Sequence, residues 1–329
     1  MLFLNSLILG TLIAISSYSW MTMWIGLEIN LLSIIPLLNN PKNIYPSESA
    51  LKYFITQALA SVIFLFAIIM MFNLKEIFPQ NSLFEVMMNS ALLTKMGAAP
   101  FHAWFPEVME GLNWLNCLLL LTWQKIAPMI LLMYTLKMTM FLTIIIVFSS
   151  ILGGILGINQ ISLRKILAYS SINHIGWMIA SMLNFQSIWL IYFLIYTIIN
   201  LNIILIFNQK NIFYFKQLNN MMNSNKMFKF FFILNFLSLG GLPPFLGFLP
   251  KWLAINNLIM NNFYLISLFL ITFTLITLYF YLRISFSTMM MNSSETLIFY
   301  RDQNNFFIIF FNFLSIIGLV ICTIIFYIF

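Results

Sequence analysis

Charge is what this sequence has least of. Asp, Glu, Lys and Arg together make up 7% of its 329 residues, against about 25% in ordinary soluble chains. A chain of this length with so few charged groups could not cover the surface of a soluble fold with polar side chains. The shortage therefore excludes a soluble enzyme, a nucleic-acid reader and a disordered linker.

Cysteine and glycine-rich motifs are also scarce. The two cysteines, Cys117 and Cys322, lie in separate apolar runs, so neither a disulfide framework nor a Cys/His metal quartet is expected. No glycine-rich loop follows a strand-like run, and we therefore predict no nucleotide site. The N-terminal run has neither a basic segment nor a small-residue cleavage site, which favours a first membrane span over a removed signal.

Long apolar runs are what the chain does have, since 62% of its residues are hydrophobic. A helix that crosses a bilayer of about 30 Å needs about 20 residues, and these runs show no strand-like alternation. We predict an all-α polytopic membrane protein with about 11 transmembrane helices, some of them discontinuous. The predicted spans are 2–20, 21–38, 52–73, 83–105, 113–135, 138–157, 164–184, 186–208, 228–258, 263–283 and 305–328. The stretch 228–258 is expected to be two half-helices around a break.

The basic residues favour one orientation of these spans. The loops on the N-terminal side hold Lys42, Lys52, Arg164, Lys165, Lys210, Lys216, Lys226, Lys229, Arg283 and Arg301. The opposite loops hold Lys75 and Lys137. Because Lys and Arg are enriched in loops on the cytoplasmic or matrix side, the N-terminus is predicted there and the C-terminus on the opposite side. The net charge of +7 is then explained by the excess of Lys and Arg in the loops of one side, not by a surface that binds nucleic acid.

Four charged residues fall deep inside the predicted spans, away from the first and last few residues of each: Glu28, Lys95, Lys125 and Lys251. Each charge at mid-membrane costs about 2.5–3.5 kcal/mol on insertion scales, so such residues usually have a function. The alternatives without a function are that the lysines extend to the membrane interface and that Glu28 is a protonated structural group.

A proline stands near each of these charges. A proline inside a helix leaves the carbonyl four residues earlier without its helical hydrogen bond. Such carbonyls accept hydrogen bonds from water or lysine within the membrane. The prolines are Pro36, Pro100, Pro128 and Pro250, and the carbonyls that they are expected to release belong to Leu32, Met96, Gln124 and Leu246.

Two histidines complete the polar set. His174 follows Ser170 and Ser171 at helical spacing, so the three residues share one helix face. This arrangement is consistent either with a proton relay or with a satisfied core histidine. His102 follows the break at Pro100, and its function is left open. No metal site is expected, because neither histidine has a carboxylate or cysteine at ligand spacing.

The segment GAAPFHAWFP at 97–106 matches GLPPFLGFLP at 241–250 at four of its positions, with an offset of 144. Because the predicted repeat unit holds five spans, its second copy would be inverted, an architecture typical of ion-translocating proteins. We predict a first five-helix repeat at 1–136, an inverted second repeat at 137–290 and a separate C-terminal helix at 291–329.

The segments KMGAAPFHAWFPEV, RKILAYSSINHIGWM and GGLPPFLGFLPKW resemble signature segments of the antiporter-like membrane subunits of respiratory complex I. The resemblance extends to about residue 290 and is greatest to the short, eleven-span form of animal mitochondria. It implies a proton relay in which Glu28 pairs with Lys95, Lys125 bridges, and His174 and Lys251 serve the second half.

The same resemblance implies a setting. The chain is expected in the mitochondrial inner membrane, with lipids and other membrane-arm subunits as partners, antiporter-like neighbours among them, and with no nucleic acid. It is expected to carry no cofactor: NADH, FMN, iron–sulfur clusters and ubiquinone would belong to other subunits, whose redox reactions drive the proton. The relay is expected to rely on water between His174 and Lys251, since Asn200, Asn202 and Asn235 are the polar side chains available there.

Three other interpretations of the buried charges stay open. A stand-alone cation/proton antiporter would use the same carboxylate and lysines at broken helices. A structural subunit would use the charges as assembly contacts, although such contacts need no hydrated breaks. An independent catalytic site is the least favoured, because no nucleophile–base or metal spacing is present.

Overall fold

The computed structural model of the chain describes residues 1–39, 43–73, 82–221, 226–243 and 245–290, together with Asn312. Over these residues it is an all-α structure of fourteen helices, and its one β-type contact is an isolated antiparallel bridge between Ser162 and Tyr214. The predicted all-α class is confirmed. The predicted span 305–328 lies outside the described residues apart from Asn312.

The helices, in chain order, are α1 Leu2–Ser16, α2 Trp20–Leu38, α3 Ile44–Asn73, α4 Ser82–Met96, α5 Trp104–Gly111, α6 Trp114–Leu121, α7 Trp123–Met133, α8 Thr139–Ile158, α9 Leu163–Met182, α10 Gln186–Lys210, α11 Phe215–Met221, α12 Lys226–Gly240, α13 Phe248–Met260 and α14 Tyr264–Met290. Local chemistry explains several of their ends. The Ser19 hydroxyl caps α2 by accepting from the backbone N–H of Thr22, and Asn211 ends α10 in the left-handed conformation that asparagine tolerates.

Six spans in the described part of the chain are long and apolar enough to cross a membrane: Trp20–Leu38, Ile44–Asn73, Trp114–Met133, Thr139–Ile158, Gln186–Lys210 and Tyr264–Met289. The exposed faces of these helices are rich in large apolar side chains, as expected for a surface in contact with lipid. Leu2–Ser16 and Lys229–Gly240 are apolar but shorter. The full count of eleven spans stays a prediction.

Two predicted spans are not continuous helices. The span 83–105 is interrupted where a break near Pro100 was predicted, because α4 ends at Met96 and α5 begins at Trp104. The span 113–135 is interrupted at Thr122, which separates α6 from α7. The predicted division of 228–258 is confirmed, since α12 ends at Gly240 and α13 begins at Phe248.

The chain divides into two compact units, Met1–Ser149 and Ser150–Phe329. In the first, α1 packs against α2, and α3 packs against α2, α4 and α5. In the second, α10 packs against α9, α12 and α13, and α14 packs against α12. The repeat boundaries at 136/137 and 290/291 stay predictions.

Candidate functional site

Both units contain a helix that ends in the same kind of turn. Gly97 and Gly241 follow α4 and α12 with φ of +75° and +74°, a conformation that strongly favours glycine. The two glycines are 144 residues apart, the offset of the sequence repeat. The backbone hydrogen bonds of the turns also correspond: Gly97 N–H to Thr94 O at 3.2 Å, Ala98 N–H to Leu93 O at 3.0 Å, Gly241 N–H to Ser238 O at 3.0 Å and Leu242 N–H to Leu237 O at 3.5 Å.

Lys95 lies in the last turn of α4, immediately before the first of these turns, and is only 7% exposed. Glu28, on α2, is close enough to interact with it electrostatically, and one carboxylate oxygen of Glu28 is buried without a hydrogen-bond partner in the described structure. Within the described ranges the two side chains do not form a direct ion pair at 4.0 Å or less. The predicted partners therefore share an electrostatic interaction but not a direct salt bridge.

A small polar cavity of about 10 Å³ adjoins Lys95. This volume suits about one water molecule. The cavity is lined by Leu27, Asn30, Leu31, Tyr53, Gln57, Lys95, Gln124 and Pro128. Its four neutral polar residues were not predicted as site residues. Their sequence signal was faint, since each is one polar residue in an apolar helix, although Asn30 and Gln124 stand beside Glu28 and Lys125.

The carbonyls at the end of α4 accept hydrogen bonds from side chains elsewhere in the unit. The Trp104 indole N–H donates to Thr94 O at 3.0 Å, and the Gln57 amide donates to Lys95 O at 3.4 Å. The Lys95 carbonyl would otherwise be orphaned at a helix C-terminus inside a buried region, and the Thr94 carbonyl, which also accepts from the Gly97 N–H, gains a second donor. At the first break, side chains of Gln57 and Trp104 therefore donate to the helix-end carbonyls.

Lys125 is the third residue of α7 and is 1% exposed. Its ammonium lies over the ring of Phe105, 5.6 Å from the centroid, a distance at which an aromatic face attracts a cation. Pro128 lies inside the same helix, as predicted, and so does Pro36 in α2. These two prolines remove helical donors as the sequence suggested.

The other two prolines do not act as predicted. Pro100 lies in the turn after α4, and Pro250 is the third residue of α13. Neither position carries an intrahelical donor that a proline could remove, because the first turn of a helix has unbonded N–H groups. The prediction that they release the carbonyls of Met96 and Leu246 is therefore wrong. The acceptors at each break come instead from the end of the preceding helix.

Lys251 shows this directly. It lies on α13, is 6% exposed, and its ammonium donates to Gly240 O at 2.9 Å and Leu239 O at 3.3 Å. Both carbonyls are at the C-terminus of α12, where the helix dipole favours positive charge. A Cβ atom on Gly241 would lie 2.9 Å from the Lys251 nitrogen, so a larger residue would displace the end of that side chain and would also be strained at positive φ. The ammonium also lies 5.9 Å from the centre of a Trp177 ring.

His174 lies on α9, 4% exposed, with Nδ1 at 2.9 Å from the Tyr192 hydroxyl of α10. The Tyr196 ring lies 5.1 Å from the imidazole, and its hydroxyl is near Ser171 and Asn200. The hydroxyls of Ser170 and Ser171 donate to backbone carbonyls three residues earlier, both at 2.8 Å. Sequence reasoning missed the two tyrosines, whose signal was only their helical spacing of four.

A row of buried asparagines extends through the second unit. The Asn202 amide donates to Asn235 at 3.4 Å, and the Asn235 amide donates to Asn312 at 2.6 Å. Asn200 is adjacent to Tyr196 and not part of this row. The asparagines named in the sequence are thus divided between the histidine cluster and a separate contact to the C-terminal segment.

The structure therefore gathers the predicted residues into two groups. Glu28 and Lys95 interact in the first unit, and Lys125 is adjacent in sequence to the cavity residue Gln124. In the second unit Trp177, three residues after His174, contacts Lys251. His102 joins neither group: its Nδ1 lies 3.2 Å from Pro100 O, at an exposed turn. Among the described residues no three His, Cys, Asp or Glu side chains are placed to hold a metal ion.

Comparison with curated proteins finds relatives along nearly the whole chain. It is 51% identical to NADH-ubiquinone oxidoreductase chain 2 of Anopheles gambiae, over 98% of this chain and 97% of that protein. It is 52% identical to the protein of the same name from Aedes aegypti over the same shares. A mammalian relative, from Oryctolagus cuniculus, is 40% identical over 87% of this chain and 84% of its own length.

Solved structures with the same fold come from several complexes. A chain of respiratory complex I from Thermus thermophilus matches with a TM-score of 0.83 at 22% identity, over 97% of this chain and 76% of that one. A chain of the Mrp complex from Dietzia matches with a TM-score of 0.77 at 15% identity, over 86% and 59%. The family model described as NADH:quinone oxidoreductase/Mrp antiporter, TM, matches residues 17–277. The chain belongs to this family of NADH:quinone oxidoreductase and Mrp antiporter membrane subunits.

Proposed function

We propose that the chain is a proton-translocating membrane-arm subunit of respiratory complex I, and that its relay consists of Glu28, Lys95, Lys125, His174 and Lys251. The observation that carries the relay is the presence of three lysines, each at most 7% exposed, in helices that are interrupted near them. A charged side chain is costly at such positions, so a lysine found there usually has a function. The relatives named NADH-ubiquinone oxidoreductase chain 2 support the assignment to complex I.

The first step depends on Glu28. Its carboxylate acts on the Lys95 ammonium across a short gap, so the attraction responds to charge or movement nearby. When this attraction weakens, the buried ammonium is less well stabilised and releases its proton more readily. Lys125 is proposed as the receiving group, with the Phe105 ring as partial compensation for its charge.

The second step uses His174 and Lys251. The Tyr192 hydroxyl can both donate and accept, so it can exchange a proton with His174 Nδ1. Lys251 receives positive charge at a place prepared by two helix-end carbonyls. Water is proposed to complete the connection to Lys251.

The energy comes from elsewhere in the complex. Moving a proton against the membrane potential costs about 2.3 kcal/mol per 100 mV. We assign NADH, FMN, iron–sulfur clusters and ubiquinone to other subunits, whose redox reactions would act on this chain through charge and conformational change. The chain's share in NADH:ubiquinone reductase activity is thus the translocation step and not electron transfer.

The proposal includes a location and an internal symmetry. The chain is a multi-pass protein of a mitochondrial membrane, which we take to be the inner one, with the N-terminus on the matrix side and the C-terminus facing the intermembrane space. Neighbouring membrane-arm subunits, including antiporter-like ones, and lipids are its partners. The matching turns at Gly97 and Gly241 support two inverted five-helix repeats, at 1–136 and 137–290, followed by a helix at 291–329.

Migration of the detergent-solubilised native chain on a native gel stained for NADH dehydrogenase activity tests the assignment. Co-migration with a very large, NADH-active band is expected. A small, NADH-inactive species would contradict the assignment and favour a stand-alone cation/proton antiporter. The fold is also similar to that of a chain of the Mrp complex, which is consistent with this alternative. Cation-driven proton flux in vesicles would then be measured.

A further inference from the structure

The cavity beside Lys95 is bordered by a set of hydrogen bonds that join three helices. The Gln124 amide of α7 donates to the Asn30 side chain of α2 at 2.9 Å. The Tyr53 hydroxyl of α3 lies 3.3 Å from the Gln124 oxygen, to which it donates. We call these three residues the amide bridge. Each bond fixes an orientation of the Gln124 amide, so its nitrogen faces α2 and its oxygen faces α3.

The surroundings of the amide bridge make it costly to break. Asn30 and Tyr53 are each 3% exposed. Tyr53 also packs edge-on against Trp104, with ring centres 5.7 Å apart, and Trp104 in turn bonds to the end of the Lys95-bearing helix. A buried amide or hydroxyl that loses its hydrogen-bond partner strongly destabilises the folded state unless water replaces that partner.

The amide bridge adjoins Lys95 in space and Lys125 in sequence, two of the proposed relay groups. Lys95 lines the same cavity as the three residues of the amide bridge, and Lys125 follows Gln124 directly in α7. With the bridge closed, the cavity of about 10 Å³ holds about one water molecule. Side-chain amides are poor proton carriers because they are very weakly basic, whereas a hydroxyl and water exchange protons readily.

We propose that Gln124 is a positioning residue that gates proton transfer between Lys95 and Lys125. While Gln124 bonds to Asn30 and Tyr53, the cavity has too little water to connect the lysines. When the amide turns away, water enters, and the Tyr53 hydroxyl becomes an exchangeable member of the path. No covalent bond other than O–H and N–H bonds forms or breaks, and one proton leaves Lys95 as one reaches Lys125.

This inference rests on the proposed function, because it requires proton transfer between those two lysines. The test uses the intact complex carrying Gln124→Leu, which keeps much of the volume and removes both hydrogen bonds. The matched control is Asn116→Leu, since the Asn116 amide also bonds to α2, at Leu37 O and 2.9 Å, but does not line the cavity. Turnover per assembled complex and its solvent isotope effect in D₂O are measured.

Gln124→Leu is expected to lower coupled turnover by about three- to tenfold, because the apolar side chain remains beside the cavity and excludes the water that would connect the lysines. The solvent isotope effect should rise, because proton transfer then limits turnover more strongly. Asn116→Leu is expected to leave the isotope effect unchanged. Tyr53→Phe should have a smaller effect of the same kind, and adding it to Gln124→Leu should change little, because the two share one bond.

The outcomes separate the two proposals. An unchanged isotope effect in Gln124→Leu, or an equal change in Asn116→Leu, would overturn the gate. Additive effects of Gln124→Leu and Tyr53→Phe would also overturn it. If Lys95→Met keeps normal turnover and proton pumping, the proposed function itself fails, whatever Gln124→Leu does.

Discussion

The two helix breaks share a backbone turn but differ in what satisfies the carbonyls at the end of the first helix. At the first break the neutral side chains of Gln57 and Trp104 donate to these carbonyls. At the second break the ammonium of Lys251 donates to them itself. A repeated backbone turn can therefore serve two roles, according to which side of the break carries the lysine.

Its consequence concerns how each lysine is coupled to the protein. Lys95 precedes its break and lines a cavity, and the carboxylate of Glu28 opposes the effect of burial on its charge. Lys251 follows its break and is bound to the helix end that it stabilises. Its protonation is therefore tied to the geometry of the turn at Gly241.

The largest expected effect comes from Lys251→Met. It removes the donor to both α12 carbonyls and a proposed relay group, so proton-coupled turnover should fall by about 100-fold, within the range for loss of an acid–base group. Lys229→Met on α12 is the matched control, because Lys229 is partly exposed near the start of the helix. Turnover per assembled complex is the measurement, and equal effects of the two changes would contradict the account.

Alanine at the two turn glycines separates strain from contact. Both variants place a side chain at positive φ, which costs about 1–2 kcal/mol. The new Cβ at 241 would also displace the Lys251 ammonium, whereas at 97 it would meet Phe105 at 3.1 Å. Gly241→Ala should therefore lower turnover several-fold more than Gly97→Ala at similar thermal stability. The prediction fails if Gly97→Ala is the slower of the two.

Tyr192→Phe examines the second unit without touching a lysine. It keeps the ring beside His174 and removes the hydroxyl at 2.9 Å from Nδ1. A three- to fivefold lower turnover is expected, roughly the effect of one net hydrogen bond. Phe193→Leu, on the same helix, serves as the control, and an unchanged rate in Tyr192→Phe would remove the tyrosine from the relay.

The smallest effect is expected from Trp104→Phe at the first break. It removes one donor to Thr94 O and keeps an aromatic ring near Tyr53, so stability should fall by about 1 kcal/mol. Turnover should change by less than about twofold, since one neutral hydrogen bond away from the lysine is lost. Thermal unfolding of the purified complex and its turnover are compared. A loss of turnover as large as that of Lys251→Met would show that the two breaks are coupled to function alike.

The sequence was sufficient for those features that depend on single residues. Buried charges such as Lys125 stand out in apolar runs because of their cost, and the corresponding breaks were indicated by four identical residues in the segments 97–106 and 241–250. The all-α class follows from the requirement that backbone groups bond within the membrane.

Features that depend on distant parts of the chain were not predictable in this way. Gln57 and Lys95 are 38 residues apart, and Tyr53 and Gln124 are 71 apart, so their contacts follow from tertiary packing. The error over Pro100 and Pro250 has a similar origin, because a proline releases a carbonyl only inside a helix. Helix ends are set by turn geometry that hydropathy does not report.

The central claim is that Lys95 carries a translocated proton, and the most direct measurement is the NADH-driven turnover and proton gradient of the vesicle-reconstituted complex with Lys95→Met. The account predicts an assembled complex that has lost pumping-linked turnover. Normal turnover together with a normal proton gradient would contradict it.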